Sequence, residues 1–254
     1  MFSPTLKHTL LALCISLPVA SASLVVTYAE SPNEVNSTLS GTSVFNFNNL
    51  STGTHENVEW SGVGTLDKVH ILNADSYGGA VDPGFSTGSP YIVQADFAGV
   101  TSTTLTLDAP HAYFGLWWSA GDSQNILEFY SGITLVGRFT TATLLDRLAT
   151  DDSYLGNPRD RDLNSGENYA FINFFGQEGT TWDRIVLSNG PGSGFESDNY
   201  TDRAAPWNPE TDGPMPGKPL AVVDGTNVIP IPEPASLAMA ALGGLALVAR
   251  RRRA

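Results

Sequence analysis

Between residues 91 and 139 apolar and polar side chains alternate with a period of two. Tyr91, Val93, Ala95 and Phe97 share a face against Ile92, Gln94 and Asp96; Leu105 and Leu107 alternate with Thr104 and Thr106; Ile133, Leu135 and Phe139 lie opposite Thr134, Val136 and Arg138. Successive side chains of a strand point to opposite faces, so the pattern predicts half-buried β-strands. Further strands are expected at Leu24 to Tyr28, Ser43 to Phe47, Lys68 to Leu72, Ala112 to Trp118, Ile126 to Tyr130, Tyr169 to Phe175 and Trp182 to Ser188. Gly78-Gly79, Pro83-Gly84, Ser131-Gly132 and Asn189-Gly190-Pro191-Gly192 mark turns between them. Only Thr141 to Leu148 reads as a short helix. Many short strands with no strand-helix alternation predict an all-β fold, an antiparallel β-sandwich of jelly-roll type.

The two ends of the chain break this pattern. Residues 1–22 place Lys7 before an apolar run from Leu10 to Val19, followed by Ala20-Ser21-Ala22. Small residues at Ala20 and Ala22 are what signal peptidase inspects, so an N-terminal signal helix cleaved after Ala22 is expected. Lipidation is the alternative use of Cys14, but Leu13 stands where a small residue is needed. At the other end, Pro232-Glu233-Pro234 precedes an apolar run from Ala235 to Ala249 and then Arg250, Arg251, Arg252 and Arg253. Fifteen helical residues rise ~22 Å against a hydrocarbon core of ~30 Å. That is enough for a short transmembrane helix in a thinned bilayer, with the Arg cluster as a stop at the cytoplasmic face. The expected organisation is therefore a signal peptide at 1–22, a β-sandwich domain at 23–203, a Pro-rich linker at 204–230 and a terminal sorting segment at 231–254. Residues 204–234 hold half of the 16 Pro and show no periodicity, which suggests a partly extended stalk.

Composition agrees with export. Cys14 is the only cysteine, so a chain cut after Ala22 has no disulfide, thiol nucleophile or thiolate metal site. Between residues 23 and 234 eight basic residues face all 26 acids, a charge near −18. Such a surface repels anionic polymers and excludes nucleic acid as a partner, while neutral glycans and divalent cations remain compatible with it.

The order Pro-Glu-Pro, short apolar helix, Arg cluster, chain end resembles the PEP-CTERM sorting signal of Gram-negative bacteria, whose processing enzymes are the membrane peptidases called exosortases. The resemblance implies export across the inner membrane, transient arrest there by Arg250 to Arg253, cleavage near Pro232 to Pro234, and delivery of the body to the cell surface or the extracellular polysaccharide. Three blocks of the body, AYFGLWWSAGDSQNILEFYSGITLVGRF, NYAFINFFGQEGTTWDRIVLSN and GFESDNY, resemble a subgroup of exosortase-dependent surface proteins of cyanobacteria and proteobacteria. That subgroup carries no established activity, so it implies location and fold alone.

Catalytic motifs are weak. Gly84-Phe85-Ser86-Thr87-Gly88 fits G-x-S-x-G, but Pro83 and Pro90 flank it where a nucleophile elbow needs a strand and a helix. His55, His70 and His111 form no zinc spacing. The chain is expected not to be an enzyme and to need no cofactor, with calcium as the one candidate: Asp160, Asp162 and Asn164 alternate as calcium ligands do and Glu167 can close the shell, the alternative being a solvated acidic loop. Trp117 and Trp118, adjacent on a strand, point to opposite faces, so one packs in the core and the other is covered or is exposed for stacking on a sugar. The segment from Phe195 reads as a closing strand with Asp198 and Asn199 at the sandwich edge. These observations point to a structural or adhesive surface protein; the alternatives are a carbohydrate-binding module for matrix glycans and a secreted hydrolase.

Overall fold

The computed structural model describes residues 22–80 and 87–233. Most of the predicted signal helix, Pro234, the apolar run and Arg250 to Arg253 lie outside the described residues, as do Pro83 to Ser86. Among the described residues no helix is long and apolar enough to cross a membrane.

Fourteen strands follow one another: β1 (Leu24–Tyr28), β2 (Ser43–Phe45), β3 (Gly53–Trp60), β4 (Gly64–Leu72), β5 (Tyr91–Ala95), β6 (Ser102–His111), β7 (Tyr113–Gly121), β8 (Asn125–Ser131), β9 (Thr134–Thr140), β10 (Asn168–Gly176), β11 (Trp182–Asn189), β12 (Gly194–Arg203), β13 (Lys218–Asp224) and β14 (Asn227–Pro230). Helix α1 (Ala142–Leu148) falls where it is predicted; α2 (Pro209–Asp212) is one turn capped by Asn208. The strands form one antiparallel sheet in the order β14-β13-β1-β10-β7-β12-β5-β4-β6-β11-β8-β9, with β2 on β12 and β3 on β4. Its ends meet. The N–H of Arg138 in β9 reaches Gly225 O at 2.7 Å, and Gly225, in the turn between β13 and β14, donates to Val136 O at 3.1 Å.

Aromatic contacts show the sheet folded over itself as a sandwich. Phe129 of β8 packs on Phe174 of β10 at 4.9 Å between ring centroids, and Phe139 of β9 on the same ring at 5.4 Å. Burying each such ring stabilises the fold by about 1.5–3 kcal/mol. The all-β antiparallel sandwich expected from the sequence is the fold observed, with the main core between its two layers.

The middle of the sheet is covered on both sides. β7 is buried at every residue and β10 at all but Asn168. Phe114, Leu116, Trp118, Ala170, Ile172 and Phe174 face the inner core. On the outer face Trp117, Tyr169 and Phe171 pack under Ala29, Val35 and Ala80, while Tyr113 and Phe175 pack under Leu39, Trp207 and Met215.

Three expectations are corrected. First, residues 204–230 are not a free linker throughout: β13 pairs with β1 and buries Leu220, Ala221 and Val223, and β14 pairs with β13. Pro219, which made this stretch look like a stalk, stands opposite Thr27 at a break in register, where a missing N–H costs little. Second, β9 carries an extra residue between its pairings Tyr130–Leu135 and Phe129–Gly137. This bulge buries Val136 together with Phe139 and leaves Ile133 98% exposed at the turn. Third, Phe97 belongs to a 3-10 turn, Asp96–Ala98, rather than to the face of β5, and is 73% exposed.

Candidate functional site

Trp117 and Trp118 do point to opposite faces, and both are closed off, at 1% and 0% exposure. The Trp118 indole donates to Asn125 Oδ1 at 2.7 Å and lies where a side chain on Gly121 would have to go: a Cβ there would stand 1.9 Å from the ring. Trp117 tilts against Tyr169 at 5.9 Å beneath the segment from Ala29 to Val35. Neither ring presents a face to a sugar: Trp118 lies in the inner core, and segments distant in sequence cover Trp117 on the outer side of the sheet.

The acidic loop is tied to the body by its cations. Arg161 donates to the carbonyls of Ser153, Leu155 and Gly156 at 2.9 to 3.1 Å and to Asn33 Oδ1 at 3.0 Å. Arg159 donates to the carbonyls of Thr87 and Asp75. Asp160 Oδ1 accepts the N–H of Asp162 at 3.1 Å, and Asn164 Nδ2 donates to Glu167 and to the Tyr169 hydroxyl. Asn164 thus turns a donor toward Glu167 where a calcium shell needs an oxygen. Asn164 and Glu167 meet, but among the described residues no three His, Asp or Glu side chains are grouped to hold a metal ion.

Strand β12 supplies what the sequence reading missed. It is central, between β7 and β5, rather than at the edge, and it buries Glu196, Ser197, Asp198, Asn199, Thr201 and Asp202. A bulge between Asp198 and Thr201 puts Asn199 at φ +49°. Asp198 Oδ2 accepts from the Ser89 hydroxyl at 2.8 Å and the Ala80 N–H at 3.2 Å, anchoring the loop before β5. Asp202 pairs with His111 Nδ1; burial raises the Asp202 carboxyl above the usual carboxylate range and His111 opposes that rise.

Glu196 opens instead onto a cleft of about 570 Å³, lined by Leu72, Asp75, Tyr77, Tyr91, Asp96, Phe97 and Gly192 to Gly194. Gly194 makes room for it, since a Cβ there would lie 2.0 Å from the Glu196 carboxyl. Burial, reinforced by the carboxylates of Glu167, Asp122 and Asp75, pushes Glu196 up to about 8, so at neutral pH it is a protonated acid that both donates and accepts. Asp75 Oδ1 shapes the wall by accepting from the N–H groups of Tyr77 and Gly78 and from the Tyr91 hydroxyl, at 2.8, 3.2 and 3.0 Å. Tyr77 is 51% exposed and Phe97 73%. The available signal was weak: both rings stand next to turn residues, Tyr77 before Gly78-Gly79 and Phe97 before Ala98-Gly99, and these positions reach Glu196 only through the fold.

The family described as the PEP-CTERM protein-sorting motif matches residues 230–253. No curated protein sequence matches the chain. Among solved structures, the catalytic domain of a GH87 alpha-1,3-glucanase in complex with tetrasaccharides superposes with a TM-score of 0.33 at 16% identity, covering 72% of this chain; the chain spans 30% of that structure's length, and a likeness this loose carries no argument. The start of the matched motif is docked on the body: Ile231 N–H donates to Leu220 O at 2.8 Å, Arg147 donates to the Ile231 and Pro219 carbonyls, and its Nε lies 3.9 Å from Glu233. The chain thus couples an all-β body directly to a PEP-CTERM protein-sorting motif, which implies export and exosortase-dependent processing.

Proposed function

We propose that the chain is the precursor of a cell-surface or extracellular-matrix protein with a structural or adhesive role. Signal peptidase removes residues 1–22, the C-terminal segment holds the precursor transiently in the inner membrane, and exosortase releases the body near Pro232 to Pro234 for retention in the envelope or the extracellular polysaccharide. The observation that carries this reading is the sorting motif at residues 230–253, joined without a free spacer to the last strand. The acidic body supports it, since a charge near −18 keeps an exported domain soluble and off anionic polymers.

Mass spectrometry of the cell-associated and released protein tests the reading. The expected mature termini are Ser23 and a residue at or next to Pro232 to Pro234. Changing Pro232, Glu233 and Pro234 to Ala should leave uncleaved precursor in the inner membrane. A surface form that begins at Met1, or normal processing of that variant, would falsify it.

A further inference from the structure

We propose that the cleft between Tyr77 and Phe97 binds a neutral saccharide, whose ring faces lie on the two exposed aromatics while its hydroxyls pair with the Glu196 carboxyl. The inference rests on the surface-protein reading for its setting and on three observations for its chemistry.

The rings come first. Among the described residues Phe97 and Tyr77 are the most exposed aromatic side chains, and both line the same cleft. Apolar rings left in water cost free energy that a stacked pyranose face recovers without charge. Second, Glu196 is nine-tenths buried, lines that cleft, and pairs with no Lys, Arg or His among the described residues. Its carboxyl keeps hydrogen-bonding capacity beyond the contact it makes with its own backbone N–H, and a ligand hydroxyl would use it. Third, the cleft volume falls in the range of about 300–1,000 Å³ usual for small-molecule sites.

The charges select a neutral ligand. The groups that face Glu196 are all acidic or phenolic: Asp75 after β4, Tyr91 on β5, Asp122 after β7, Glu167 before β10 and Tyr169 on it, with Asp96 on the cleft wall. They repel an anionic sugar. They also keep the Glu196 proton in place at neutral pH, so at that position a sugar hydroxyl meets both a donor and an acceptor.

The test is calorimetric titration of the exported protein with neutral tetrasaccharides of glucose, galactose, mannose and N-acetylglucosamine, and with tetramethylammonium as a cationic probe. At least one tetrasaccharide should bind. Phe97→Ala and Tyr77→Ala should each weaken it about tenfold or more, while Ile133→Ala, which removes a still more exposed apolar side chain at the β8–β9 turn, should not. Affinity should fall between pH about 6 and about 10 in the native protein and stay level in Glu196→Gln. No binding at millimolar saccharide, binding indifferent to both aromatic variants, or binding of tetramethylammonium alone would overturn the proposal. Correct mature termini with an inert cleft would remove only this inference, whereas a binding cleft on a protein that is never exported would remove the surface reading instead.

Discussion

Glu196 shows how one burial reshapes chemistry. In the unfolded chain its carboxyl titrates in the ordinary range; in the fold, desolvation first and neighbouring carboxylates second move it up to about 8. Between those values the folded state holds a proton that the unfolded chain has released, so stability falls as pH rises from about 4.5 to about 8 and is constant beyond. The total is on the order of a few kcal/mol. Glu196→Gln removes the charge and keeps the shape. Thermal unfolding should show the variant several degrees more stable than the native protein at pH about 9 and equal to it at pH about 4; equal midpoints at both would mean that Glu196 is solvated. Trp117 and Trp118 teach the opposite lesson: residue types suited to binding sugar serve as packing, because the chain around them supplies covers.

At the scale of elements, β13 is the informative case. Its sequence, KPLAVVD, holds a proline and follows a Pro-rich stretch, so periodicity alone does not distinguish it from a stalk. In the fold it is a strand of the sheet, with Leu220 fully buried. Leu220→Asp should therefore lower stability by about 3 kcal/mol or more, because it places an unpaired charge in the core. Ile229→Asp, on the exposed face of β14, should change it by less than about 0.5 kcal/mol. Equal and small effects in thermal or urea unfolding would restore the linker reading. β3 was missed for a related reason: THENVEW is polar because it pairs with β4 alone, outside the main run of the sheet, and its exposed positions carry no apolar pattern.

The whole molecule joins an all-β body to a sorting motif. The sheet closes through Gly137 and Gly225, and the sorting motif leaves it directly after β14, with Arg147 bridging helix α1 to Ile231 and Glu233. The body folds by burial, whereas the C-terminal segment is recognised by its order of Pro-Glu-Pro, apolar run and cations. Changing Arg250, Arg251, Arg252 and Arg253 to Ser should weaken the membrane stop without altering the body. The expected outcome is unprocessed chain, still carrying residues 235–254, outside the inner membrane, with an unchanged unfolding midpoint for the body. Normal arrest and cleavage of that variant would show that the apolar run suffices.

Sequence alone determined what depends on near neighbours. Period-two alternation marked β5, β6 and β9, and β1, β7, β8, β10 and β11 were expected beside them; helix α1 was legible from Thr141 to Leu148; and the C-terminal sorting motif was readable because it is a linear string of residue types. Tertiary structure decided which faces are covered and which distant residues meet. Trp117 is buried because residues 29–35 lie over it, β13 is a strand because β1 offers it an edge, and the cleft exists because the turns at Tyr77 and Phe97 converge on Glu196 of a strand much later in the chain. An alternating pattern fixes two faces for each strand, but only the pairing of strands, which is non-local, fixes what each face meets.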